Sequence, residues 1–193
     1  MPKHTIYYAT SNPVKFQEAE QFFKDTGSGI FLERYADDIP EIQSLDQELV
    51  ALNKAREAWN RLQKPLLAED AGIYFEKFNH FPGTLTKFIY QAIGMEGLLK
   101  LVKSYDKALF QMHLIYYYGP DQYQVFKSNC PGTIRETNVF KASKSTPFDD
   151  IFMPNGSDKT YAQLREMNEL SSFNYRVKAL EMFSQWYKNF SNK

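Results

Sequence analysis

The order of the apolar segments constrains this chain most: strand-like runs first alternate with amphipathic helices, then pair with one another. Residues 4–9, HTIYYA, predict a buried strand. Residues 13–24, PVKFQEAEQFFK, predict a helix with Val14, Ala19, Phe22 and Phe23 on its apolar face. A second strand is predicted over 30–36. The clearest helix covers 45–63, where Asp46 caps and Leu49, Leu52, Ala55, Trp59 and Leu62 recur at helical spacing. Residues 65–78 read as a strand, a polar corner and a further strand. A helix is predicted over 95–105, and 108–119 pairs with 123–134 around the turn GPDQ. After the loop-rich stretch 146–160, a C-terminal helix places Phe173, Val177, Leu180, Phe183, Tyr187 and Phe190 along one face. Such an order predicts an α/β (α+β mixed) fold: one domain over 1–193, with a central mixed sheet flanked by helices, two lobes, and a ligand cleft between the lobes.

Composition narrows the partners. The chain has 193 residues, enough to bury most of a sizeable core, and is 43% hydrophobic and 24% charged, as in ordinary soluble globular domains. The 23 Lys and Arg balance the 23 Asp and Glu, so no global field draws the chain to nucleic acid or to a membrane. Any phosphate binding must come from local placement. The lone cysteine, Cys130, forms no internal disulfide and reads as a small buried hydrophobe in a reduced, cytoplasmic protein. No apolar run approaches the roughly 18 residues of a membrane span. His4, His80 and His113 form no metal-ligand spacing and read as structural.

Two corners carry the chemistry. The first is ATSNPVK, residues 9–15, where a strand gives way to a helix. Thr10 and Ser11 offer hydroxyls, Asn12 can cap, Pro13 suits a first helical position, and Lys15 lies in the first turn. Turn N–H groups and the helix dipole would add to an oxyanion site suited to phosphate. A capped helix with a surface lysine has the same sequence. The second corner is LLAEDAG, residues 66–72, where Glu69 and Asp70 follow a buried strand and alternation sends their side chains opposite ways. Carboxylates there are costly unless paired or metal-bound, and Mg2+ favours one or two carboxylates together with waters and substrate phosphates. An acidic turn closed by Gly72 is the alternative. Glu41, held extended by Pro40, and the helix lysine Lys54 complete a set that fits metal-assisted chemistry on a polyphosphate.

The ordered set ATSNPVKFQE, IPEIQ, ALNKAR, AEDAGIYFEKFNHFPG, FPGTLTKFI with MEGLLKLV, KTYAQL and YRVKAL resembles the inosine triphosphate pyrophosphatase-like family over nearly the whole chain. That family acts on purine nucleoside triphosphates with non-standard bases. The resemblance implies Mg2+-dependent hydrolysis between the α and β phosphates, giving a monophosphate and pyrophosphate. It also implies an elongated mixed α/β fold with a central cleft, commonly a homodimer. On this chain Ser11, Asn12 and Lys15, with Thr10 beside them, would hold phosphates. Glu41 would hold Mg2+, and Asp70 would help hold it and activate the attacking water. Lys54 would neutralise phosphate charge, and Glu69 is a secondary metal candidate.

The base-recognition half departs from that pattern. Where the family has an aromatic–glycine–aromatic–aspartate–proline run, this chain has TPFDDIF, keeping only Phe148 and Asp149 in register. Phe148 would stack on a base or serve as core. The family's serine–histidine–arginine triplet becomes Asn174, Tyr175 and Arg176, and Leu170 stands nearest the place of an upstream lysine. A site built to hydrogen-bond one base edge discriminates strongly, so these changes predict an altered or relaxed base preference. A catalytically weak or inactive nucleotide-binding homologue, or a structural role, are the other classes the sequence leaves open.

Overall fold

The computed structural model describes residues 4–137 and 146–191. Among the described residues seven strands and five α-helices alternate at first, and strands then follow one another in the middle of the chain. They are β1 (His4–Ala9), α1 (Pro13–Asp25), β2 (Ile30–Tyr35), α2 (Gln47–Leu62), β3 (Leu66–Phe75), β4 (Phe81–Pro82), α3 (Thr86–Leu99), β5 (Lys107–Gly119), β6 (Gln122–Ile134), β7 (Phe152–Pro154), α4 (Tyr161–Glu166) and α5 (Tyr175–Phe190). The sheet is mixed. Its order is β2-β1-β3-β5-β6-β7, with β4 added to β3. β1 runs parallel to both β2 and β3, in register Ala9↔Tyr35 and Ala9↔Ala68, whereas β6 and β7 are antiparallel.

The chain forms two compact units. One comprises residues 1–70, 112–128 and 176–193; the other comprises 71–111 and 129–175. In the first unit the strands alternate their side chains between two helical layers. Ala9, Leu66, Ala68, Ile115 and Tyr117 pack with Ala51, Ala55 and Ala58 of α2. On the opposite face Phe183 of α5 meets Phe23 of α1, Tyr116 of β5 and Phe126 of β6 at ring centroid distances of 6.0, 5.1 and 5.7 Å.

The second unit has its own core, in which Ile73, Phe75, Phe110, Phe148, Phe152, Tyr161 and Leu164 are buried together. Cys130 is buried within it, as read from sequence. Tyr175, at the start of α5, stacks on Phe110 at 5.0 Å.

Three local expectations are corrected. Residues 65–78 do not turn at the acids: β3 is one continuous ten-residue strand with Glu69 and Asp70 in its middle. Gly72 closes no corner; a Cβ there would lie 2.1 Å from the Gly83 carbonyl oxygen, so glycine is required by close backbone approach. The face of α2 is broader than predicted and differs at one position. Ala55 is buried and Leu52, Trp59 and Leu62 pack against the core as expected, but Leu49 is 48% exposed, and Gln47, Val50, Ala51 and Ala58 are buried instead, the alanines letting the helix approach the sheet closely. The helix expected over 95–105 begins earlier and ends at Leu99, interrupted at Gly94, whose φ of 63° suits glycine.

Candidate active site

Strand alternation builds the site from two adjacent acids of β3. Glu69 shares its face with Leu67 and points to α1 and α5; Asp70 shares its face with Ala68 and points to α2. All the residues around these two acids described next belong to the first unit.

Glu69 is almost fully buried and saturated. Its Oε1 accepts from Lys15 Nζ at 2.8 Å and Arg176 Nη2 at 2.9 Å; its Oε2 accepts from Arg176 Nε at 2.9 Å and from the Tyr8 hydroxyl. Arg176 Nη1 also pairs with Glu18 of α1. Burial alone would raise the Glu69 carboxyl, but the charges of Arg176 and Lys15 reverse that and hold it well below the ordinary carboxylate range. Burial, reinforced by the Glu69 charge, pushes the Tyr8 phenol well above its usual 10, so it remains a donor. The secondary metal candidate is therefore an acid whose oxygens already serve four donors. Arg176, carried over as a base reader, has Nε, Nη1 and Nη2 all engaged with carboxylates.

Asp70 is the opposite case. It is 9% exposed, and among the described residues its Oδ2 is a buried oxygen with no hydrogen-bond partner. Gln47 hydrogen-bonds the carboxyl, and the charges of Lys15, Glu41 and Lys54 reach it. Burial, with a smaller push from Glu41, outweighs the two lysines and Gln47 and lifts the carboxyl to about 6. Glu41 and Lys54 stand together as a 2.8 Å ion pair, so these two expected site residues do converge. Among the described residues no three His, Cys, Asp or Glu side chains gather as a ready-made metal cage.

The bend between β1 and α1 is an N-cap. Asn12 Oδ1 accepts from the backbone N–H of Val14 at 2.9 Å and of Lys15 at 3.4 Å, and Thr10 Oγ1 accepts from the Asn12 N–H at 3.1 Å. Pro13 has no N–H. The first-turn donors expected to cradle an anion are thus spent within the chain. What the bend presents instead is the exposed Ser11 and the Lys15 ammonium. Arg34 of β2 clamps the bend from behind, its Nε donating to the Thr10 carbonyl at 3.2 Å and its Nη2 to the Ser11 carbonyl.

In the second unit Phe148 is 4% exposed and edges onto Tyr90 and Phe110, which places it in the core rather than on a stacking surface. Asp149 is paired with Arg165 at 2.8 Å, and Asn174 is buried. Sequence reasoning missed Tyr8, Gln47 and Arg34, each a polar side chain in an ordinary strand or helix position. Glu18 carried one signal: it stands three residues after Lys15, on the same face of α1.

The fold is shared with a protein already solved: the Staphylococcus aureus Ham1 protein superposes with a TM-score of 0.75 over 96% of this chain and 98% of its own, at 23% identity. A model of the Ham1 family matches residues 6–186, and the chain belongs to that family. Proteins named dITP/XTP pyrophosphatase are similar along nearly their whole length. That of Methanopyrus kandleri is 36% identical over 187 residues, covering 95% of this chain and 96% of the relative. That of Thermococcus kodakarensis is 32% identical, covering 95% and 97%.

Proposed function

We propose that this chain is a nucleoside triphosphate pyrophosphatase of the nucleotide pool, hydrolysing triphosphates with non-standard purine bases, of the dITP and XTP class, to the monophosphate and pyrophosphate. The observation that carries the reading is the Asp70 carboxyl: buried, lifted to about 6, and left with an unpartnered oxygen. A buried carboxylate oxygen without a donor is expensive, so it marks a place where something binds. A divalent cation fits that oxygen and the nearby Glu41, and we assign Mg2+ to them, with substrate phosphates completing its shell. When bound, it would neutralise and polarise the phosphates.

The chain's own groups supply the rest. Asp70 accepts the proton of the water that attacks the α-phosphorus, and a carboxyl poised near 6 is ionised for that purpose at neutral pH. Lys54 and Lys15 bring positive charge to the triphosphate, and Ser11 adds a hydroxyl. Thr10 and Asn12 act by shaping the bend. Glu69 is not a cation ligand in this reading; it holds Lys15 and Arg176 in place. Because Arg176 is engaged with Glu69 and Glu18, and Asn174 and Tyr175 replace two polar readers, base discrimination is relaxed or redirected. Phe148 and Asp149 stabilise the second unit. A homodimer in the cytoplasm completes the proposal; no described helix is long and apolar enough to cross a membrane.

The test is phosphate release with added pyrophosphatase over ITP, XTP, dITP, dUTP and the standard nucleotides, with Mg2+ and with EDTA. Mg2+-dependent turnover of at least one non-standard triphosphate is expected, with pyrophosphate as product. Background rates on every nucleotide would refute the proposal, and tight calorimetric binding without product would replace it by a nucleotide-binding role.

A further inference from the structure

We infer that Gln47 and His113 are positioning residues for the Asp70 carboxylate, the imidazole acting on it through the Gln47 amide. The inference rests on the proposed role of Asp70.

All three side chains are buried in the first unit. Gln47 is the first residue of α2, and His113 lies on β5 in the same row as Ile115 and Tyr117, which face α2. His113 Nδ1 is 3.1 Å from Gln47 Oε1, and the other end of the amide reaches Asp70. The direction of each hydrogen bond follows from what the groups can do. An ionised carboxylate only accepts, so the amide must turn its NH2 to Asp70. That leaves Oε1 for His113, and Oε1 only accepts, so the imidazole must carry its proton on Nδ1. On the Nε2 side the half-exposed Glu48 has its Oε2 at 3.9 Å, beyond hydrogen-bond range. The ring stays neutral. Burial, aided by the Lys127 charge and only partly offset by Asp46, pushes His113 down to about 4.

The consequence is mechanical. A carboxylate with one unpartnered oxygen turns freely about its terminal torsion unless something fixes the other oxygen. Gln47 does that, but an amide can flip and present its own oxygen, which would repel the carboxylate. His113 prevents the flip, because its Nδ1–H can donate only to the oxygen end of the amide. The row from β5 to α2 to β3 thus holds Oδ2 in one orientation.

Two measurements test this on the full chain. Long-range 1H–15N spectra of the metal-free, 15N-labelled protein should show His113 protonated on Nδ1, and Gln47→Leu should move the proton to Nε2. In steady-state kinetics His113→Phe and Gln47→Leu should each lower kcat about tenfold with KM unchanged, the scale of losses for groups that orient a ligand. His113→Asn, which keeps a donor at the Nδ1 position, should recover most of the loss. The double variant Gln47→Leu with His113→Phe should be no slower than Gln47→Leu alone, because the imidazole acts only through the amide. An Nε2 proton in the parent protein, a His113→Phe variant as fast as the parent, or losses that multiply would each overturn the inference. The spectra need no turnover, so a chain inactive on every triphosphate refutes the proposed function while the position of the His113 proton still decides this contact row.

Discussion

Replacing Asp70 by Asn should stabilise the protein while abolishing its turnover, and the size of the gain should depend on pH. The carboxyl moves from an ordinary 3.8 to about 6 on folding, chiefly because it is buried. Between those two values the folded chain binds the proton that the unfolded chain has released. Stability therefore falls as pH rises through this window, and the full loss is present above pH 6. At about 1.36 kcal/mol for each tenfold change in acidity, the loss comes to about 3 kcal/mol. Asparagine resembles the protonated acid in size and polarity and cannot ionise. Asp70→Asn should thus match the parent near pH 4 and exceed it by about 3 kcal/mol at pH 8. In a domain of this length that is roughly 6–12 °C in melting temperature. Thermal unfolding in EDTA at the two pH values, followed by circular dichroism, reads the difference. A variant equally or less stable at pH 8, or a gain that does not change with pH, would refute the argument that Asp70 is a buried charge held at a cost for catalysis.

Glu69→Gln should do the reverse. It takes from the buried Arg176 its two-pronged carboxylate partner, leaving Glu18 as the remaining paired acid, and should cost about 3 kcal/mol in urea unfolding. Since the folded Glu69 carboxyl is depressed, its contribution is present above the ordinary carboxylate range and is lost as pH falls below it, so the variant's deficit should shrink in acid. Lys15→Ala removes one of four donors to Glu69 and should cost about 2 kcal/mol; in kinetics it should raise KM alike for all bases, and an effect on one base alone would assign it to base reading. Gly72→Ala drives a Cβ against the Gly83 carbonyl and should cost about 3 kcal/mol, seen as a lower urea midpoint with an unchanged slope.

The sequence made the element order legible because each strand and helix before residue 63 carries its own period and its own caps. Asn12 and Asp46 accept first-turn N–H groups as expected. It misled at residues 69–70, where two acids looked like a corner. Acidic residues inside a strand are penalised unless partners arrive from elsewhere, and those partners lie far along the chain: Arg176 is 107 residues from Glu69. On α2, Leu52, Ala55, Trp59 and Leu62 meet the core as expected, and Leu49 alone was misplaced. Leucines outweigh alanines in any hydrophobicity pattern, but the distance between helix and sheet decides which row faces in. Lys15, Glu41, Lys54 and Asp70 could be picked out, whereas Gln47 and His113 could not, because a lone glutamine or histidine carries no periodic signal.

The pairing of Ala9 with Ala68 sets more than a ladder of hydrogen bonds. Glu69 and Asp70 are neighbours on one strand, so sliding β3 along β1 by a single residue would exchange them. The acid with the unpartnered oxygen would then face Arg176 and Lys15, and the acid meant for that clasp would be stranded against α2. If Asp70 has the role proposed for it, a mispaired molecule would lose its keystone and its reagent in one step, and fidelity of assembly at this one seam would also be fidelity of chemistry.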